Sequence, residues 1–192
     1  MMNVAIFASG NGSNFQVLAE KIQSGKFPAS LKFVFSDKQD AYVLKRAKKL
    51  GILSFSFKLK EFTNKEIYEA TLVELLKQYE IDLVVLAGYM KIIGTTLLKA
   101  YEGKIINIHP SFLPEFSGLH GIEDAWNAQV KESGVSVHYV DAGVDTGEII
   151  KQVRIPRLEN DTLESFEQRI HKAEYQLYPE VLEKLIRKGL KT

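Results

Sequence analysis

The sequence predicts an α/β protein: one domain built on a mostly parallel, doubly wound sheet of about seven strands, with helices on both faces. Three observations carry that reading. Short, almost wholly apolar runs alternate with longer stretches in which apolar residues recur at helical spacing, as in successive strand–helix–strand units. The short runs lack the in–out alternation of half-exposed strands, so they suit strands covered on both faces. Polar or glycine-containing segments follow several runs, at the carboxyl edge where open α/β sheets gather ligands.

Asn3–Ala8 (NVAIFA) is the first strand. Ser9–Gly10–Asn11–Gly12–Ser13–Asn14 follows, then a helix with Phe15, Leu18, Ala19 and Ile22 on one face. A strand, a glycine turn and a helix start make an anion site, because unpaired N–H groups and the positive dipole end face the same way. Phe15 stands where a dinucleotide fingerprint needs its third glycine, and no Gly-Lys-Ser/Thr follows. The loop therefore suits a single phosphate at Gly12, Ser13 and Asn14; as a plain tight turn it needs Ser13 or Asn14 only as a helix cap.

Leu31–Ser36 is the second strand, and Asp37 just beyond it occupies the place of a ribose-binding acid in a dinucleotide fold. Asp40 opens a helix with Val43, Leu44, Ala47 and Leu50 inward, ended by Gly51. Ile52–Phe57 is the third strand. Thr63 and Glu66 form a capping box for a helix carrying Tyr68, Leu72, Leu75, Leu76 and Tyr79. Asp82–Ala87 is the fourth strand; the loop Gly88–Ile93 that leaves it, aromatic and aliphatic with one lysine, suits the wall of a pocket for a flat apolar ligand.

A short helix, Thr95–Tyr101, leads to the fifth strand, Lys104–Ile106, and to Asn107–Ser111 at its end. The loop Phe112–Gly121 is long enough to form a rim. A helix over Ile122–Val130 returns the chain to a sixth strand, Ser136–Val140, and to a glycine-containing loop with Asp145. Glu148–Arg154 reads as an antiparallel edge strand ended by Pro156. Asp161 and Thr162 open a terminal helix carrying Phe166, Ile170, Ala173 and Leu177; Pro179 kinks or restarts it, and Val181, Leu182, Leu185 and Ile186 continue its apolar face. Arg187, Lys188 and Lys191 make a solvated helix end that suits the dipole.

Composition narrows the function. The 192 residues suffice for a core without staples. A net charge of +1 leaves no footprint for nucleic acid or an anionic membrane. The absence of cysteine excludes disulfides, thiolate catalysis and Cys-ligated zinc, and fits a cytoplasmic protein. No apolar run is long enough to span a bilayer, and the amino end runs straight into a strand, so no leader is expected. Monomer and homodimer both fit.

The chemistry concentrates in Asn107, His109 and Asp145. An amide, an imidazole and a carboxylate meeting at one sheet edge can stabilise an oxyanion and move a proton, and a carboxylate beside an imidazole favours its charged form. A metal site from His109, His120 and His138 lacks paired ligand spacing, so no metal is expected.

Four stretches, S-G-N-G-S-N, G-Y-M-K-I-I, I-N-I-H-P-S-F-L-P and S-V-H-Y-V-D-A-G-V-D-T-G, occur here in one order. With them the chain resembles the phosphoribosylglycinamide formyltransferase family from Asn3 to about Ile186, the third stretch marking formyl-folate enzymes generally and the first narrowing to the ribonucleotide enzymes. The resemblance implies transfer of the formyl group of 10-formyltetrahydrofolate to the amine of glycinamide ribonucleotide, in purine synthesis, by a small-molecule enzyme without metal. It implies that Gly12, Ser13 and Asn14 bind the ribonucleotide phosphate and Glu174 its ribose. Lys65, Met90, Lys91, Ile92, Ile93, Asn107, Asp141, Ala142, Gly143, Val144 and Asp145 would meet the folate, and Asn107, His109 and Asp145 would be catalytic. A phosphate-binding half of about residues 1–100 would precede a folate-binding and catalytic half of about 101–192. Lys65 and Lys91 stand where members often carry Arg, keeping charge but losing the bidentate fork, and Glu115 and Ser117 also depart from the usual pattern. Rival readings are a methionyl-tRNA formyltransferase, for which a nucleic-acid domain and basic charge are lacking, a formyltetrahydrofolate hydrolase, for which a leading regulatory domain is lacking, and a non-catalytic or nicotinamide nucleotide-binding Rossmann-like domain.

Overall fold

The computed structural model describes residues 1–25 and 27–189; of the basic carboxyl-terminal group, Lys191 lies outside them. In chain order the elements are β1 (Met2–Phe7), α1 (Ser13–Gln23), β2 (Ala29–Ser36), α2 (Tyr42–Leu50), β3 (Ser54–Ser56), α3 (Lys65–Gln78), β4 (Leu83–Leu86), α4 (Thr95–Ala100), β5 (Ile105–His109), α5 (Gly121–Asn127), β6 (Glu132–Tyr139), β7 (Ile149–Pro156) and α6 (Leu163–Lys188). Among the described residues seven strands join one sheet in the order β3-β2-β1-β4-β5-β6-β7. The pairs from β3 to β5 are parallel, whereas β5–β6 and β6–β7 are antiparallel.

Each face of the sheet carries its own core. Val4, Ile6, Val34, Val85, Ile106, Ile108, Val135 and Val137 pack on one side with residues of α1, α2, α5 and α6. Ala5, Phe7, Phe33, Phe35, Val84, Leu86 and Ile105 pack on the other with α3 and α4. Alternation along the strands produces both sets, since neighbouring side chains point to opposite faces. Tyr178 of α6 is fully buried and donates its hydroxyl to the carbonyls of Leu86, at 2.8 Å, and Ile106, at 3.3 Å, which offsets the cost of burying that group.

Several boundaries differ from the sequence reading. β5 extends through His109, so Asn107 and His109 are strand residues on one face rather than a segment beyond the strand. β3 is only three residues long, and β6 begins at Glu132, four residues earlier than predicted. α6 is continuous through Pro179 and is not restarted there, because that proline is buried in a helix held by its apolar face. Asn64, not Thr63, caps α3, accepting the Ile67 N–H at 2.9 Å. α2 starts after Ala41 with no side-chain cap, so Asp40 does not serve as one. Among the described residues no helix is long and apolar enough to cross a membrane.

Candidate functional site

β1 and β4 are neighbours whose connections leave to opposite faces, α1 packing with one core and α4 with the other. That divergence opens a crevice at their carboxyl ends. Ser9 ties the two loops together: its N–H donates to the Gly88 carbonyl at 2.9 Å, and its hydroxyl accepts the Met90 N–H at 2.8 Å. The same hydroxyl donates to Asp37 Oδ1 at 2.5 Å, and Asp37 is buried. The acid after β2 is thus spent on bracing the crevice, so the ribose-binding role that favoured a nicotinamide reading does not hold.

The loop after β1 is shaped by α2. Gly12 has φ +74°, and a Cβ there would lie 2.4 Å from Val43 Cγ2. Glycine is required at this place by its neighbour as well as by its backbone angle. Arg46 donates to the Asn11 carbonyl at 2.7 Å and to Asn11 Oδ1 at 2.9 Å, and the Val43 N–H donates to the Gly10 carbonyl at 3.1 Å. α1 then starts with Gly12 as its cap, with no side-chain cap and no acid in the first turn. Ser13 and Asn14 are therefore not caps, and the first N–H groups of the helix lack helical partners. Asn14 Nδ2 instead donates to Glu174 Oε2 at 3.2 Å, and Asn14 Oδ1 is buried without a partner. His171 Nδ1 donates to the same Glu174 oxygen at 2.7 Å, and that bond, outweighing burial, raises the His171 pKa above its ordinary value of 6.5.

On the α3/α4 side of the sheet, the apolar pattern ends after Ile105. Asn107 and His109 follow on that face, and His138 lies opposite Asn107 on β6. Because β6 runs antiparallel, its carboxyl end lies beside the start of β5. The loop after β6 then folds back over the polar face, bringing Asp145 to it by a different route from the shared carboxyl edge the sequence suggested. Asp145 adopts φ +55°, an angle that Asp tolerates better than most residues. Its Oδ2 lies 3.4 Å from His109 Nδ1 and accepts the Gly118 N–H at 2.9 Å. Its Oδ1 lies 3.5 Å from His138 Nε2 and accepts from Asn107 Nδ2 at 3.4 Å. Burial pushes the Asp145 carboxyl up, but the His138 and Gly118 hydrogen bonds and the two imidazole charges together hold it below 3.8.

Backbone carbonyls fix the outward nitrogens of both rings. His109 Nε2 donates to the Phe116 carbonyl and His138 Nδ1 to the Tyr139 carbonyl, each at 2.8 Å. A carbonyl only accepts, so each of those nitrogens carries a proton. A second proton on either ring must face Asp145. Without that second proton, His138 Nε2 instead accepts from Asn107 Nδ2 at 3.2 Å.

One cleft of about 510 Å³ joins the two regions, lined by Gly12, Ser13, Asn14, Met90, Lys91, Ile92, Ile93, Asn107, His109, Asp141, Gly143, Val144, Asp145 and Glu174. Ala142 is exposed and is not among the lining residues. Lys65 stands in a separate hollow of about 250 Å³, across the shared Met90–Ile93 wall, with its Nζ 3.9 Å from Glu69 Oε1. Asp141 Oδ1 folds its own loop, accepting from the Gly143 N–H at 3.0 Å and Thr146 Oγ1 at 2.7 Å. Among the described residues no group of three His, Cys, Asp or Glu side chains is placed to hold a metal ion. In the sequence His138 stands out only as a candidate metal ligand, and His171 and Arg46 not at all. A three-residue offset on α6 between His171 and Glu174 was the available signal for the first of these two.

The sequence profile of the formyl transferase family matches residues 2–182. The chain belongs to that family. The phosphoribosylglycinamide formyltransferase of Bacillus subtilis strain 168 is 48% identical over 186 residues, covering 97% of this chain and 95% of that protein. The crystal structure of phosphoribosylglycinamide formyltransferase from Streptococcus pneumoniae TIGR4 is 66% identical, covers 96% of this chain and 99% of that one, and superposes with a TM-score of 0.91. Glycinamide ribonucleotide transformylase 1 from Geobacillus kaustophilus gives 45% identity, 97% and 99% coverage and a TM-score of 0.94. An amide, two imidazoles and a carboxylate thus stand around one position, groups able to donate to an oxyanion and to move a proton.

Proposed function

We propose that this protein transfers the formyl group of 10-formyltetrahydrofolate to the primary amine of glycinamide ribonucleotide. One observation carries the reading: the N-terminus of α1 behind Gly12 and the Asn107–His109–Asp145 cluster open into the same cleft. The phosphate takes the N–H groups of Ser13 and Asn14 behind Gly12, and Glu174 receives the ribose hydroxyls. The folate lies along the exposed side chains of Met90 and Ile92 and against the loop from Asp141 to Asp145, with its tail directed to Lys91 and, over the wall, to Lys65.

The amine nitrogen attacks the formyl carbon, and the carbonyl oxygen gains negative charge. Asn107 and charged His109 are the donors that receive it. Collapse of the adduct breaks the bond from carbon to the folate nitrogen. The proton lost by the amine passes by way of Asp145, directly or through water, to that departing nitrogen. No covalent bond to the protein forms. The test follows loss of formyl donor with and without the ribonucleotide, in the presence of chelator. Turnover that needs the ribonucleotide and survives chelator is expected; turnover indifferent to the ribonucleotide would mean a hydrolase, and loss in chelator would overturn the metal-free chemistry.

A further inference from the structure

The polar face bearing His109 continues across the sheet. In register, His109 of β5 stands opposite Ser136 of β6, and Ser136 stands opposite Gln152 of β7. Ser136 is fully buried, and all of its hydrogen-bonding capacity is used. Its hydroxyl donates to the Ser111 carbonyl at 2.7 Å and accepts the Leu113 N–H at 3.0 Å and a Gln152 Nε2 hydrogen at 2.9 Å. The other Gln152 amide hydrogen goes to the Leu113 carbonyl at 2.8 Å. Because that carbonyl can only accept, the orientation of the amide is settled.

These bonds hold the start of the turn that ends at Phe116. Ser111 Oγ spans it, donating to the Glu115 carbonyl at 2.5 Å. Phe116 has φ +53°, a conformation that an aromatic residue keeps only where its surroundings over-determine it. Its carbonyl is the one that accepts from His109 Nε2.

We propose that Gln152, through Ser136 and the Ser111–Phe116 turn, is a positioning residue for His109: it keeps the Phe116 carbonyl on Nε2 and so keeps Nδ1 turned to Asp145. Gln152 touches neither His109 nor the cleft. Its consequence for the reaction rests on His109 meeting the formyl oxygen, as proposed above, but its effect on the ring does not.

The test is Gln152→Leu, which keeps bulk and removes both donors, read by ring ¹⁵N–¹H spectra of His109 and by steady-state kinetics. The wild type should show a slowly exchanging Nε2 proton. In the variant that signal should broaden or vanish, and kcat should fall about tenfold or more with KM for both substrates nearly unchanged. Should Gln152→Leu fold poorly, Gln152→Asn, one methylene short of both acceptors, is judged by the same criteria. An Nε2 proton as protected as in the wild type would overturn the proposal, whether kcat held or fell. Loss of protection in a protein whose wild type transfers no formyl group would uphold the positioning and overturn only the reading of the site.

Discussion

Replacing Asp145 by Asn tests the proposed chemistry most directly. The carboxylate lies 3.4 Å from His109 Nδ1 and 3.5 Å from His138 Nε2, and its side chain is only 12% exposed. Opposite unit charges 3.4 Å apart attract by about 5 kcal/mol at an effective dielectric constant of about 20. Losing a little over half of that in the transition state, about 2.7 kcal/mol, slows turnover about a hundredfold. The amide also mispairs: one end can keep the Gly118 N–H only by turning its NH₂ toward the Asn107 amide, donor against donor. Steady-state kinetics on both substrates should therefore show kcat down at least about a hundredfold and dissociation constants moved far less. His109→Asn should also be slow, and the double variant little worse than the poorer single one, since the two groups act as a unit. Near-wild-type turnover in Asp145→Asn, or fully additive losses, would refute the reasoning.

Asn14→Asp sets a negative charge in the anion loop beside Glu174, so the KM for the ribonucleotide should rise while that for the folate stays nearly constant; an equal rise in both would make the loop structural. Gly12→Ala meets Val43 and strains the backbone, and a loss of about 1–3 kcal/mol is expected in denaturant titration, little recovered by Val43→Ala, which removes Cγ2 but leaves a Cβ 2.6 Å away and the angle unchanged. His171 has a raised pKa in the folded state, so its stabilising contribution is complete below its ordinary 6.5 and lost as pH rises through the folded value. The stability gap between wild type and His171→Asn should therefore be largest below pH 6.5 and close at higher pH. With a side chain 38% exposed, the gap should reach about 1 kcal/mol at most; a gap that widened with pH would contradict the Glu174 pairing.

The strand and helix succession was legible because each buried strand is an apolar run and each helix an apolar stripe. Asn107 and His109 were conspicuous for the same reason, as polar residues continuing such a run. Direction was harder to read. Nothing local distinguishes β6 as antiparallel, since Val135 and Val137 alternate with Ser136 and His138 whichever way the strand runs. Long-range polar partnerships were also invisible: Asp37 looks like a ribose ligand until Ser9 is seen to hold it, and Gln152 reads as an ordinary edge-strand side chain until its partners are known. Lys65, expected from the resemblance to meet the folate, stands in the hollow that adjoins the cleft across Met90–Ile93, a placement by α3 that no local pattern announces.

The carbonyl of Phe116 on His109 Nε2 has a consequence for selectivity between states of the substrate. Any formyl oxygen that takes this donor must first displace another carbonyl oxygen. In the ground state the exchange replaces one neutral acceptor by another and yields little. Once the oxygen carries charge, its hydrogen bond is about twice as strong as that to a neutral carbonyl, and the exchange becomes favourable. On the proposed chemistry, the carbonyl that holds the resting ring in place is also the acceptor that a charged formyl oxygen would replace, so it would disfavour the resting substrate more than the reacting one.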